Sequence, residues 1–310
     1  MSVDLSASGS QRSRVAVIGL GSIGGVAAAC LAAAARHDVV ACSRRPLDRL
    51  MLDRPEGTSE VQVKSLTDPA QADTVDWVLL CTKTHQTESA QPWLARLCTP
   101  QTRVAVLQNG IDHVSRVAPL VNGAAVVPII VYYNGERVAP DHVRMRRAGP
   151  NDLVVPDDAI GRAFARLLDG TGLQALLSDD FVTLLWRKLL INAVANPITA
   201  LTLQRQAVLR RADIQELCHV VLQEAVAVAR AEGAQLAQDE PERAMATLMT
   251  FSGELGTSMY FDRHAGRKLE IEALTGAIVA AGRRHGIATP INGTLLTLLR
   301  AVHDAAAGSG

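Results

Sequence analysis

The stretch that decides the fold lies near the N-terminus, where RVAVI at residues 14–18 is followed by GLGSIG at residues 19–24 and then by an alanine-rich segment. This order predicts a strand, a tight turn and a helix. Gly19 permits the turn, Gly21 lets the backbone approach a pyrophosphate, and Gly24 allows close packing of helix on strand. The helix N-terminus favours the same anionic group. The expected dinucleotide-binding residues are Gly19, Leu20, Gly21, Ser22, Ile23 and Gly24.

Working outward, short β-branched segments alternate with helical ones as far as about Val155, which is typical of a parallel sheet covered by helices. After Asp157 the segments become long, periodic and rich in Ala, Leu, Arg and Glu. The sequence thus predicts an α/β protein with an N-terminal Rossmann-type parallel-sheet domain and an all-α C-terminal domain. We expect a flexible tail at residues 1–13, the sheet domain at 14–177 and the helical domain at 178–310.

The individual elements follow from the same patterns. The candidate strands are Arg14–Ile18, Asp38–Cys42, Val75–Thr82, Arg103–Gln108 and Ala125–Tyr132. The candidate helices are Ala159–Thr171, Phe181–Leu201, Arg211–Glu232, Pro241–Met259, Glu270–His285 and Pro290–Ala307. Ser178, Asp179 and Asp180 are N-cap candidates for the second helix.

Composition restricts the class of partner. The chain has 31 Lys plus Arg and 31 Asp plus Glu and no polybasic segment, which disfavours nucleic-acid binding. Five scattered cysteines lack metal-site spacing, so we expect reduced thiols and no metal. No apolar run approaches the roughly twenty residues that span a bilayer, and no signal peptide is recognisable. These features predict a cytoplasmic protein that acts on a small molecule.

The end of the second predicted strand bears on cofactor choice. An NAD enzyme carries an acidic residue there, which binds the ribose 2′-hydroxyl. This chain has Ser43, Arg44 and Arg45 instead, and a guanidinium suits the 2′-phosphate of NADP. We therefore predict NADP(H), bound through Arg44. The alternative is a solvated pair of surface arginines.

Two further strand ends are expected at the crevice where open parallel sheets bind ligands. Lys83 follows the third candidate strand, and Asn109 with Gly110 follows the fourth. Both Lys83 and Asn109 are candidates for the nicotinamide half of the cofactor. Either can instead belong to an ordinary turn, since Asn-Gly is a common turn pair.

One helix carries an unusual polar stripe within an apolar segment. Lys188, Asn192 and Asn196 are spaced four residues apart, so on a helix they share one face. In one interpretation a lysine and two amides point at a substrate. In the other, the lysine extends to solvent and the amides satisfy neighbouring backbone. Periodicity alone does not separate the two.

The combination of motifs resembles the 2-dehydropantoate 2-reductase (ketopantoate reductase) family, from Arg14 to about His303. The matching motifs are the glycine turn, Gln108-Asn109-Gly110, Trp186-Arg187-Lys188 with Asn192 and Asn196-Pro197, and Ser258-Met259 with Gly266-Arg267 and Glu270.

This resemblance implies an NADPH-dependent reduction of a 2-keto acid, 2-dehydropantoate or a close analogue, to the (R)-2-hydroxy acid. Lys188 is then the general acid, since an ammonium can stabilise negative charge on the keto oxygen and also deliver a proton. Asn192, Asn196 and Ser258 are implied to bind substrate. Glu270 is implied to bind cofactor and tune Lys188, and Asn109 to contact both ligands. The helical domain is a candidate homodimer interface.

Two positions depart from the family pattern. Gln206-Ala207 replaces an Asn-Gly pair, and Leu255 replaces a short polar residue one turn before Ser258. Both put 2-dehydropantoate itself in question and favour a less polar 2-keto acid, as in a mandelate-type D-2-hydroxy acid dehydrogenase. A non-catalytic NADP-sensing protein is disfavoured, because a buried lysine is costly without a task. A 3-hydroxyacid dehydrogenase would not explain the motif from Ser258 to Glu270.

Overall fold

The computed structural model describes residues 12–307, except for the side chains of residues 305–307. The flexible tail expected at residues 1–13 therefore lies, up to residue 11, outside the described part. The chain forms two compact units. Within the described residues, the first comprises residues 12–82 together with Glu88–Leu107 and Val117–Leu177, and the second comprises Lys83–Thr87, Gln108–Arg116 and residues 178–307. The sequence-based division at 177/178 did not include the two short segments, which join the second unit through bonds to Glu270.

The first unit is built around a six-stranded parallel sheet with the order β5-β2-β1-β6-β7-β8. Its strands are β1 (Arg14–Ile18), β2 (Asp38–Cys42), β3 (Arg49–Arg54), β4 (Gly57–Gln62), β5 (Lys64–Leu66), β6 (Trp77–Leu80), β7 (Arg103–Val106), β8 (Ala125–Pro128), β9 (Ile130–Val131), β10 (Asn134–Ala139), β11 (His142–Arg146), β12 (Leu153–Pro156) and β13 (Ala175–Ser178). Its helices are α1 (Ser22–Ala33), α2 (Gln91–Leu97) and α4 (Ala159–Leu167), and it also includes the last residue of α3 (His113–Val117). The parallel-sheet prediction is confirmed.

Helix α1 is buried on all sides from Gly24 to Leu31, which explains why this part contains only small or apolar residues. Besides the parallel sheet, a four-stranded sheet with the order β10-β11-β3-β4 packs against it. A Cβ atom on Gly25 would lie 2.6 Å from the Val143 side chain. The sequence did not predict this second sheet, because its strands are short and largely polar on one face.

Two of the predicted strands are shorter than expected, ending at Leu80 and at Val106. The segment Ala125–Tyr132 was predicted as one strand, but it forms two, β8 and β9, which belong to different sheets. Pro128 ends β8. Since a proline has no N–H to donate, a change of partner strand at this point is expected physically.

The second unit is helical from Phe181 onward. Its helices are α5 (Phe181–Thr202), α6 (Ala212–Ala231), α7 (Glu240–Thr250), α8 (Ser258–His264), α9 (Ala277–Arg284) and α10 (Pro290–Ala307). A buried aliphatic cluster, including Leu190, Val194 and Leu222, holds them together. Across residues 12–307, every helix is too short or too polar to cross a bilayer.

Three details of the helical prediction were wrong. Pro241–Met259 is not one helix, because an irregular loop containing Gly253 and Gly256 separates α7 from α8. The predicted helix Glu270–His285 begins instead with a π-helical turn at Glu272–Gly276. Ser178 does not cap α5; its hydroxyl accepts a hydrogen bond from the Asp180 N–H, and Asp180 makes no side-chain cap.

Candidate active site

The glycine turn of the first unit has the geometry that a pyrophosphate requires. Gly19 adopts φ +93°, and a Cβ there would lie 2.8 Å from the Thr82 nitrogen. Gly21 is the N-cap of α1, with no side-chain cap and no acidic residue in the first turn. A Cβ on Gly21 would meet no atom within 4 Å, so the backbone is open to an approaching group. These residues fit the diphosphate of a dinucleotide.

The glycine turn is also held in place by contacts with buried neighbouring residues. The Tyr133 hydroxyl, on a buried side chain, donates a hydrogen bond of 2.8 Å to the Ile23 carbonyl. A Cβ on Gly24 would collide with the Gly19 carbonyl oxygen. The first turn of α1 is therefore fixed by its neighbours, which leaves its N–H groups pre-oriented.

Arg44 lies just beyond the end of β2 and is exposed. Within residues 12–307 its side chain forms no hydrogen bond or ion pair, so its guanidinium is available to a ligand. Ser43 is oriented locally, because its hydroxyl donates to the Arg45 carbonyl and its N–H to the Leu66 carbonyl.

In the second unit, α5 carries the polar stripe that the sequence predicted. Lys188 and Asn192 are half-buried on this helix, and Asn196 is 2 % exposed. The Asn196 Nδ2 atom is buried without a hydrogen-bond partner in the described residues. An unpaired buried amide donor costs free energy unless a ligand or water satisfies it, so this group is suited to donating a hydrogen bond to an oxygen of a substrate.

The environment of Lys188 makes its ammonium easier to deprotonate. Burial lowers the pKa of Lys188 to about 8, and the negative charge of Glu270 partly opposes this effect. Such a value lies close to the operating pH of most enzymes, where a general acid is most effective. The Lys188 side chain is thus half-buried rather than fully exposed to solvent.

Glu270 is the centre of a hydrogen-bond network, and its side chain is 5 % exposed. One carboxylate oxygen accepts from Lys83 Nζ at 3.0 Å and from Asn109 Nδ2 at 3.2 Å. The other accepts from the Thr84 N–H at 3.0 Å. Burial alone would raise the pKa of Glu270, but Lys83 and these hydrogen bonds outweigh it and lower the pKa. Glu270 therefore stays ionised and joins Lys83 to Asn109.

Sequence reasoning missed one member of this network, Asp262. Its buried carboxylate accepts from Lys83 Nζ at 2.9 Å and from Arg267 Nε at 2.9 Å. Burial would lower the pKa of Lys83, yet Glu270 and Asp262 together raise it. The available signal was spacing: Asp262 is four residues after Ser258, one helical turn along α8.

Ser258 is the first residue of α8 and is exposed, while its neighbour Thr257 caps the helix by accepting from the Tyr260 N–H. The Thr257 and Thr199 hydroxyls lie 2.7 Å apart, which ties the start of α8 to α5.

The two positions that depart from the family pattern lie against each other. The Gln206 N–H donates to the Leu255 carbonyl at 3.0 Å. The Gln206 Oε1 atom is buried without a partner in the described residues, whereas the Leu255 side chain is 44 % exposed. A change at one of these positions therefore acts on the same piece of surface as a change at the other.

Family models match both parts of the chain. Residues 15–157 match the family described as "Ketopantoate reductase PanE/ApbA", and residues 180–303 match "Ketopantoate reductase PanE/ApbA C terminal". Two curated proteins are similar over nearly their full length. A 2-dehydropantoate 2-reductase of Caulobacter vibrioides is 38% identical, covering 93% of this chain and 98% of that protein. One of Mycobacterium tuberculosis is 39% identical, covering 94% and 98%.

Solved structures of similar chains have the same fold. A ketopantoate reductase from Ralstonia eutropha superposes with a TM-score of 0.85 at 29% identity, covering 95% of this chain and 99% of that one. A dimeric ketopantoate reductase from Staphylococcus aureus gives 0.84 at 28% identity, covering 94% and 99%. A D-mandelate dehydrogenase with NADH and anilino(oxo)acetate gives 0.82 at 23% identity, covering 95% and 99%, and this last likeness shows the fold alone.

Proposed function

Because the chain belongs to the ketopantoate reductase family, we propose that it reduces a 2-keto acid, 2-dehydropantoate or a close analogue, to the (R)-2-hydroxy acid with NADPH. The observation that carries this proposal is Lys188, a half-buried lysine with a pKa of about 8 on one helix face with two amides. The bound nicotinamide supplies the hydride in this reaction.

Lys188 supplies the proton in the proposed reaction. Negative charge grows on the keto oxygen as the carbon is reduced, and a nearby ammonium stabilises that charge and then transfers a proton to it. Burial strengthens the interaction, since the local dielectric is lower than that of water. The Nζ atom of Lys188 is then neutral at the end of the step and regains its proton from solvent.

Four further residues hold the substrate in this proposal. Asn196, whose Nδ2 donor has no partner among residues 12–307, and Asn192 bind oxygens of the 2-keto acid from the same face as Lys188. Ser258, at the exposed start of α8, binds the substrate through its hydroxyl group. Asn109 shares one Glu270 oxygen with Lys83, so its amide is oriented before any ligand binds.

For the cofactor we propose NADPH in preference to NADH. The glycine turn would hold the diphosphate, and the Arg44 guanidinium, which is unpaired within residues 12–307, would meet the 2′-phosphate with a charge-assisted hydrogen bond. Lys83 and Glu270 belong to the cofactor side of the site. A ribose with a bare 2′-hydroxyl would give Arg44 no comparable partner.

The test is a panel of 2-keto acids assayed with NADPH and with NADH. The proposal expects 2-dehydropantoate or a close analogue to be reduced efficiently with NADPH. It also expects Lys188→Ala to lower kcat by about 10²–10⁴-fold while NADPH still binds. Lys188→Arg is the matched control that keeps the charge, and it should not restore the rate. No turnover of any 2-keto acid with either cofactor would refute the proposal and favour a sensing role.

A second candidate is a less polar 2-keto acid, and the exposed side chain of Leu255 favours it. Contrary to the expectation from the sequence, Gln206 favours 2-dehydropantoate, because its Oε1 atom has no partner in the described residues and can accept a hydrogen bond from that substrate's hydroxyl group. Gln206→Leu distinguishes them. If Gln206 binds the hydroxyl, this variant lowers kcat/KM for 2-dehydropantoate and leaves a 2-keto acid without that hydroxyl unaffected. Leu255→Thr is the complementary variant. It should raise kcat/KM for 2-dehydropantoate relative to kcat/KM for the 2-keto acid without that hydroxyl.

We also propose that the helical unit mediates a homodimer. The Staphylococcus aureus relative is described as dimeric. Light scattering of the purified protein at several concentrations tests this, and a monomer mass throughout would contradict it.

A further inference from the structure

His113 is a buried titratable group that the proposed reaction does not use. It is 1 % exposed and begins α3, five residues after Gln108. Its Nε2 atom lies 2.8 Å from the Gln108 carbonyl oxygen. Since a carbonyl can only accept, Nε2 carries the hydrogen and donates it. The other ring nitrogen, Nδ1, is buried and has no hydrogen-bond partner in the described residues.

This hydrogen bond fixes the peptide plane that precedes Asn109. In a planar trans peptide the Gln108 carbonyl and the Asn109 N–H point in opposite directions, so holding one orients the other. Arg116, one turn further along α3, reaches the next carbonyl, that of Asn109, at 3.5 Å and the Gln108 Oε1 atom at 3.2 Å. The turn is thus held at two successive peptide groups from one short helix.

The rest of the turn leaves little freedom of its own. Gly110 adopts φ +103°, and a Cβ there would lie 2.8 Å from the Ala273 carbonyl oxygen. The Gln108 Nε2 atom donates to the Thr87 hydroxyl at 2.9 Å. The Asn109 side chain ends on Glu270. The two side chains and Gly110 are therefore restrained by contacts with Thr87, Glu270 and Ala273, while His113 holds the Gln108 carbonyl.

We infer that His113 is a positioning residue, which orients the Gln108–Asn109 peptide so that Asn109 meets its ligands. This inference rests on the proposed function, in which Asn109 contacts cofactor and substrate. Neutrality suits the role: burial lowers the pKa of His113 to about 4, and the nearby charges of Arg116 and Lys188 act in the same direction. The ring therefore keeps one fixed donor throughout the working pH range.

The test uses a matched pair of amides at position 113. Glutamine places its Nε2 atom where the histidine Nε2 lies and keeps the donor, whereas asparagine carries the same group one methylene short of the Gln108 carbonyl. We expect His113→Asn to lower kcat/KM with NADPH and the best 2-keto acid about five- to ten-fold. His113→Gln should stay within about two-fold of the unaltered protein.

A double-mutant cycle with Asn109→Ala identifies the route of the effect. If His113 acts through Asn109, then His113→Asn adds no further loss to the Asn109→Ala variant. Losses that multiply, or a lowered Tm with unchanged kinetics in His113→Asn, would overturn the inference while Asn109→Ala remained impaired. An Asn109→Ala variant with normal kinetics would overturn the proposed use of Asn109, and this inference with it.

Discussion

The proposed acid makes a quantitative prediction about pH. With a pKa of about 8, Lys188 is mostly protonated at pH 7 and mostly neutral at pH 9. Only the protonated form can deliver a proton, so kcat/KM for reduction should fall about ten-fold between these two pH values. A lysine with its ordinary pKa of 10.5 would stay charged throughout, and the rate would not change.

The assay is the oxidation of NADPH followed at 340 nm, with kcat/KM measured from pH 6.5 to 9.5 at constant ionic strength. Lys83 does not account for a fall in this range, because its paired carboxylates raise its pKa. Glu270→Gln is the informative variant. It removes the charge that opposes the effect of burial on Lys188, so the midpoint of the fall should move to lower pH.

In Glu270→Gln, the midpoint of the pH profile reports the pKa of Lys188, whereas the maximum rate also reports the positions of neighbouring side chains. Glu270 also holds Lys83 and Asn109, so its loss lowers the maximum rate as well. Only the midpoint tests the electrostatic argument. A profile that is flat from pH 7 to 9.5, or a midpoint that moves to higher pH in Glu270→Gln, would refute the assignment of Lys188 as an acid tuned by burial and Glu270.

Three shorter predictions follow from other parts of the chain. Arg44→Ala should weaken NADPH binding by roughly ten-fold or more and leave NADH binding unchanged, as titration would measure; equal losses for both cofactors would contradict the phosphate contact. The pKa of His113 falls from 6.5 to about 4 on folding, so on acidification the unfolded chain binds a proton that the folded chain does not. Lowering the pH from 7 to 5 should therefore reduce the free energy of unfolding by about 2 kcal/mol. His113→Gln should not show this loss. Gly253→Ala should lower Tm, since its Cβ would lie 3.1 Å from that of Ala207 and collide with Arg210, whereas Gly293→Ala, in an open helical position, should raise it by comparison.

Much of the fold was predictable because its signals are local. The strand and glycine turn at residues 14–24 follow one another in the chain, and β1, β2 and α10 begin and end as predicted. The stripe of Lys188, Asn192 and Asn196 follows from helical periodicity alone. The sheet β10-β11-β3-β4 was not predictable in the same way, because a parallel pair between β11 and β3 joins segments that are far apart in the chain, with His142 paired to Met51.

The network around Glu270 shows where sequence reasoning stops. Lys83 and Asn109 were both singled out as strand-end residues, and Glu270 through the family motif, but nothing in the spacing says that Lys83 and Asn109 share the Glu270 carboxylate.

The buried Asp262 explains why the arrangement is tolerated. Lys83 alone beside Glu270 would be a single buried ion pair, whose desolvation offsets much of its attraction. With Asp262 also bound to Arg267, two carboxylates meet two cations, and each buried charge has a partner of opposite sign. Because these cations keep Glu270 ionised, its negative charge raises the pKa of Lys188 and so opposes its deprotonation.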